Sequence, residues 1–408
     1  MVDLSSSTVA GGRVEFDPYS NDFFDSPYET YRRMRDEAPV YYNPTYDFYA
    51  LTRYEDVAAA LKDFDTYSSA KGITLDMVTA EGNEVPPGYI IMMDPPEHEK
   101  MRKLVNRVFT PRAVASLEPM IRATITHFAR KLDPKSFDAV ADFSALFPVE
   151  IITTMLGVPA EDRQQLRLWL DKGLEREPGS MGPSPESIDA MMRSGTYYYE
   201  LVQQRRATPH DDMISRLIEA EVVEDGKSRR LDDIEIASFA NLLGGAGAET
   251  VTKLVGNAVV VFAENPEQWQ QLRRDRNKMP AAVEELLRYE GPTQYQVRSS
   301  TRDVTLHGVT IPAGSAVLLI NGSASRDERV FPDPDRFDID RVRKLGYNLN
   351  FGYGIHSCLG AALARMEARI ALEALLDLIP RYEVDRAGLR RVNMTNVCGW
   401  SNVPVHAL

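Results

Sequence analysis

The stretch FGYGIHSCLGAALARMEARIALEALLDLIP, residues 351–380, sets one cysteine between a glycine-rich turn and a proline-free helix that Pro380 stops. Its first ten residues have the spacing FGxGxHxCxG, formed by Phe351, Gly352, Gly354, His356, Cys358 and Gly360. Gly352 and Gly354 allow positive φ or close backbone approach to a large planar group, and Gly360 opens space beside it. Cys358 falls at a helix start, where unpaired N–H groups and the positive dipole end favour a thiolate. A lone cysteine is more often a small buried hydrophobe, and a Cys–His nucleophile using His356 is the next alternative. No oxyanion hole is identifiable, however, and the full glycine and histidine spacing favours metal ligation.

Outward from this stretch, 47 Lys plus Arg stand against 60 Asp plus Glu, a net charge of -13, which argues against a nucleic-acid binder. Two cysteines in 408 residues make neither a disulfide framework nor a zinc or iron-sulfur ligand set. The first 20 residues lack an apolar signal core and an Arg-rich amphipathic pattern, and no segment holds 18 uninterrupted apolar residues. The expectation is a cytoplasmic protein without a membrane anchor. Residues 1–20 read as a flexible N-terminal arm and 21–408 as a single catalytic domain, because no linker or repeat divides them.

Periodicity predicts helices in PYETYRRMRDEAP, EDVAAALKDF, HEKMRKLVNRVF and 111–132, then two flanking EPGSMGPS. Strands are predicted in VYYN, FYALTR and the hairpin-rich VRSSTRDVTLHGVTIPAGSAVLLI, and 68–96 is a long Gly/Pro-punctuated loop. Residues 232–263 form an apolar helix of roughly 48 Å if continuous. At its middle Gly244, Gly245 and Gly247 lie beside Glu249 and Thr250. Helix-breaking glycines and a charge in one buried helix point to function.

With FGYGIHSCLG, the EELLR helix and the AGAET segment in this order, the chain resembles the cytochrome P450 superfamily, as a soluble bacterial-type haem-thiolate monooxygenase. The resemblance implies a mainly α fold with small β-sheets, a triangular helical haem domain, haem b (iron protoporphyrin IX), and molecular oxygen as co-substrate. It implies that Cys358 is the iron ligand and that His98, Arg102, Arg298 and His356 contact the haem propionates, with Phe351, Gly352 and Gly360 in the cofactor loop. Glu285 and Arg288 resemble the ExxR pair, with Arg336 in PDRF as third partner in haem-loop support. Ala246, Gly247, Glu249 and Thr250 match the oxygen-binding groove: Gly247 leaves room beside a locally opened helix, and Glu249 and Thr250 deliver protons.

Candidate substrate contacts are Ile90, Ile91, Leu243, Ala246, Thr293, Val297 and Val397, with Tyr89 and Tyr295 as polar handles. Their apolar majority favours a terpenoid, steroid, fatty-acid-like or aromatic substrate, hydroxylated or epoxidised. No flavin or ferredoxin module is evident, so electrons are expected from NAD(P)H through a ferredoxin reductase and a ferredoxin. Arg102, Lys103, Arg107, Arg112, Arg341, Arg343 and Lys344 are candidates for the docking face of a monomeric enzyme. Two alternatives stand beside this reading. One is a peroxide-driven or non-oxygenating haem-thiolate catalyst of coupling or rearrangement, and the other a haem-based ligand sensor.

Overall fold

The computed structural model describes residues 14–80, 85–106, 109–224, 227–342 and 348–408. The fold is mainly helical with small sheets. The largest sheet has five strands in the order Val40–Asn43, Phe48–Leu51, Ala316–Leu319, Gln296–Ser300, Tyr67–Ser68. Within it Phe48–Leu51 and Ala316–Leu319 run parallel, and the other pairs run antiparallel. The HG turn closes the hairpin Val304–Leu306/Val309–Ile311, with His307 and Gly308 both at positive φ, the geometry of a tight primed turn.

The central helix is continuous over Asp233–Glu264. Asp232 and Glu235 form a reciprocal capping box at its start, which fixes where an otherwise uniform apolar run begins to coil. It is apolar and long enough to cross a membrane, yet 72% of its apolar window is buried inside the protein. It is the core helix, packed against Phe147–Leu156, Pro185–Ala207, Met279–Glu290 and Ala361–Leu378.

Two segments differ from the sequence expectation. The helix expected over 111–132 is two, Pro111–Ser116 and Glu118–Ala129, because Pro119 cannot donate its share of the ladder and instead sits in the first turn of a new helix. Residues 14–20 of the expected arm are packed. Val14, Phe16 and Tyr19 are buried, and Phe16 meets Phe23 and Phe48 edge-on at 5.9 and 6.2 Å between ring centroids. Aromatic rings spaced without helical or strand period still bury large areas against a sheet, a gain that periodicity does not reveal.

Candidate active site

The cysteine loop is a pair of tight turns, Leu349–Phe351 and Gly354–His356, closed where the Cys358 amide donates to the Phe351 carbonyl at 2.7 Å. Gly352 and Gly354 have φ of 67 and 73, so both use the left-handed region that glycine reaches without strain. A Cβ on Gly354 would also stand 2.7 Å from the Leu61 carbonyl oxygen. Gly360 has ordinary φ, and a Cβ there would meet no protein atom within 4 Å, opening instead onto the cavity that it lines. Cys358 is exposed only in the sense that its side chain forms part of the wall of this same cavity. Burial raises its thiol, while the Gly360 N–H at the helix start, Arg102 and Arg365 pull it down.

Four basic side chains converge on the same cavity: His98, Arg102, Arg298 and His356. The His98 and His356 rings meet edge-on at 4.4 Å, and His356 Nε2 lies 3.2 Å from Ser69 Oγ. Both ring nitrogens of His98 are buried without a hydrogen-bond partner among the described residues. Arg298 donates only to the Val297 carbonyl and to Gln296, and no carboxylate among the described residues pairs with it. Burial and the surrounding cations press His356 down to about 3. Two arginines and two imidazoles gathered at one wall, with the His98 ring unpartnered and Arg298 without a carboxylate among the described residues, constitute a site for anionic oxygens.

Across the cavity, the central helix contributes Leu242, Leu243, Ala246, Gly247 and Thr250. The Thr250 hydroxyl donates to the Ala246 carbonyl at 3.0 Å while remaining on the cavity wall. Gly247 does not mark an opened helix. The helix is unbroken there, and an added Cβ would stand 2.8 Å from Ile152 Cγ1, so Gly247 serves close packing against Phe147–Leu156. Gly244 likewise accommodates the Tyr198 hydroxyl. Glu249 does not line the cavity. It is buried on another face of the helix, with Lys253 Nζ 3.1 Å away.

Of the expected substrate contacts, Ile90, Ile91, Leu243, Ala246 and Thr293 line the cavity. Val297 and Val397 do not: Val297 packs into the core beneath the sheet, and Val397 pairs with Thr293 in an isolated bridge. Alternation along Gln296–Ser300 turns Gln296 and Arg298 to the site and Val297 away, as the two faces of a strand require. Tyr295 is satisfied by the Thr395 carbonyl at 2.8 Å, and Tyr89 by Asn241.

A family model described as Cytochrome P450 matches residues 186–387. The Putative cytochrome P450 123 of Mycobacterium tuberculosis is 41% identical over 399 residues, covering 97% of this chain and 98% of the relative. The chain belongs to the cytochrome P450 family. Among solved structures, a mutant of P450 EryK in complex with erythromycin B superposes with a TM-score of 0.85 at 36% identity, covering 94% of this chain and 96% of that one. A P450 from Bacillus megaterium in complex with testosterone gives 0.84 at 34%, covering 93% and 97%.

P450 enzymes are haem-thiolate monooxygenases, and this P450 fits haem b by its own atoms. Cys358 faces the cavity, Gly360 presents no Cβ to it, and the unpartnered His98 ring and Arg298, which has no carboxylate partner among the described residues, match a pair of carboxylates.

The supporting ion cluster differs from expectation in one member. Glu285 is fully buried and accepts from Arg288 Nη2 at 2.7 Å and Nε at 2.9 Å. Its third partner is Arg341, whose Nε lies at 3.0 Å, and not Arg336. The Arg336 side chain is 69% exposed, and only its carbonyl joins the cluster, accepting from Arg288 and Arg341. Arg341 is thereby withdrawn from the residues expected to dock an electron donor; of these Lys103 and Arg112 are exposed, and Arg107, Arg343 and Lys344 lie outside the described residues.

Glu367 was not legible as a site residue. It lines the cavity from helix Ala361–Leu378, fully buried, with Oε2 unpartnered, and burial raises its carboxyl well above the usual range. On the sequence it is one helix acid among many.

Proposed function

We propose that this P450 hydroxylates an apolar small molecule of terpenoid, steroid, fatty-acid-like or aromatic class, in the cytoplasm and as a monomer. Two electrons come from NAD(P)H through a separate ferredoxin reductase and ferredoxin. The observation that carries the substrate class is the cavity wall opposite Cys358, built from Ile90, Ile91, Leu242, Leu243 and Ala246, with few polar groups beside them. The relative determined with the steroid testosterone supports the same choice.

In this reading Cys358 ligates the iron, and His98, Arg102, Arg298 and His356 hold the propionates. Haem, when bound, supplies the oxygen and redox chemistry. The chain supplies position and protons. Apolar side chains seat the substrate and exclude water, and the Thr250 hydroxyl holds a proton on the cavity wall for the oxygen side. Glu249, one residue earlier on a buried face, stands behind Thr250 as its acidic neighbour.

Titration of the ferric holoenzyme with terpenoids, steroids, aliphatic acids and small aromatics, read by the haem spectrum, identifies which class displaces iron-bound water. Mass spectrometry after turnover with reduced ferredoxin and oxygen then identifies the product. No oxygenated product from any of these classes overturns the substrate assignment, and efficient turnover only with peroxide, and not with reduced ferredoxin and oxygen, overturns the electron supply. Replacing Cys358 with Ala abolishes the thiolate signature of the reduced carbon monoxide complex, and an unchanged spectrum refutes its ligation.

A further inference from the structure

Glu249 is held from outside its own helix. Asp171, on the outer helix Arg163–Leu174, reaches the central helix at this point, within hydrogen-bonding range of the Glu249 carboxyl. Asp171 Oδ2 takes Arg167 Nη1 at 2.7 Å. The Asp171 side chain is 29% exposed, but Oδ1 is sealed inside and has no donor among the described residues. Glu249 Oε2 is likewise buried and without a hydrogen-bond partner, and Lys253 Nζ, 3.1 Å away, pairs with it by charge. Two ionised carboxylates only accept, so two carboxyl groups within hydrogen-bonding range, each with a buried unpartnered oxygen, are satisfied together by one proton held between them.

We propose that Asp171 and Glu249 share a single proton, which makes Asp171 the positioning residue that ties the outer helix to the Glu249–Thr250 turn. The functional consequence rests on the reading of that turn as proton-handling; the shared proton itself does not.

The electrostatics agree with this geometry. Burial and the adjacent Glu249 push Asp171 up to about 9. Burial opposes ionisation of Glu249 too, but Asp171 and Lys253 outweigh it and hold Glu249 below the ordinary range, so the proton sits on Asp171. The charged groups facing the pair are Arg167 from the outer helix and Lys253 from the central one. Of the other helices packed on the outer one, Phe147–Leu156 offers Glu150, already paired with Arg163, and Pro185–Ala207 offers Asp189, already paired with Arg193. Loss of the proton leaves two carboxylates in repulsion across the seam, which loosens the outer helix.

The test is infrared spectroscopy of the ferric holoenzyme in a Glu367→Gln background, which removes the other buried neutral acid. A protonated carboxyl C=O band is expected at neutral pH, fading above about pH 9 and absent after Asp171→Asn. No band in the background variant, or a band indifferent to Asp171→Asn, overturns the proposal. Amide hydrogen exchange over 163–174, corrected for intrinsic rate, is expected to quicken by about tenfold per pH unit between the ordinary carboxyl range and the pair's pKa, where the closed pair holds a proton that the open one releases, and to level off above about pH 9. Asp171→Asn, whose amide donates at every pH, removes that dependence and keeps the protection; Asp171→Leu loses protection at all pH. Exchange independent of pH in the wild type also refutes the shared proton. Unchanged coupling of electrons to product in Thr250→Ala sinks the proton-handling reading but leaves the band in place, so the two failures are told apart.

Discussion

Arg341 Nε donates to Glu285 Oε1 at 3.0 Å, joining a helix to a loop 56 positions further along the chain. Arg341 also donates to the carbonyls of Pro332, Asp333 and Arg336, so one guanidinium closes the loop against the Glu285/Arg288 pair.

Arg341→Ala is expected to destabilise the protein by about 3–5 kcal/mol, because it strips a partner from a fully buried carboxylate. Arg336→Ala, at an exposed side chain, is expected to stay within about 0.5 kcal/mol of wild type. Denaturant unfolding and haem content of the two purified variants give the comparison; equal losses would refute the assignment of Arg341 as the third partner.

Gly247→Ala places a methyl 2.8 Å from Ile152 Cγ1. A cost of about 1–3 kcal/mol is expected from overpacking. Removing the clashing carbon in Gly247→Ala/Ile152→Ala should make the two effects non-additive, read as a coupling energy in a double-mutant cycle. Independent, additive effects would show that Gly247 is not there for this crossing.

Thr250→Ala is expected to lower product formed per electron consumed by roughly tenfold, since water substitutes only in part for a positioned hydroxyl. Thr250→Ser keeps the donor and should keep the coupling. The measurement is product against NAD(P)H oxidised, and wild-type coupling in Thr250→Ala removes the hydroxyl from the proton path.

Glu367 carries a pH signature with a definite sign. Its folded pKa is raised by burial well above 4.5. The folded chain therefore keeps a proton that the unfolded chain releases. Its contribution is fully present below 4.5 and declines as pH rises, by about 1.4 kcal/mol per pH unit until the folded carboxyl ionises. Glu367→Gln lacks that slope, so its stability relative to wild type should climb between pH 5 and 8 in urea unfolding. A pH-independent difference would mean that Glu367 is ionised in the folded protein.

The elements were largely legible because they are local. The 32-residue central helix, its start at Asp232 and the primed turn at His307–Gly308 each follow from residues adjacent in sequence. The break before Pro119 is legible in principle but masked, for the proline stands inside an otherwise regular apolar pattern. Phe16 was not legible as core, because an aromatic without periodic neighbours gives no sign of the sheet on which it packs.

The site divides along the same line. The cysteine loop was readable from the residues alone, since Gly352, Gly354, His356 and Cys358 act through the conformation of one short segment whose chemistry is written in contiguous order. That Arg341 and not Arg336 meets Glu285, that Val297 turns from the cavity while Gln296 faces it, and that Glu249 lies buried against Lys253 came from the packing of distant segments. Those outcomes depend on which way a side chain points when segments distant in sequence meet. One position along a strand or a fraction of a helical turn separates a buried partner from a solvated charge.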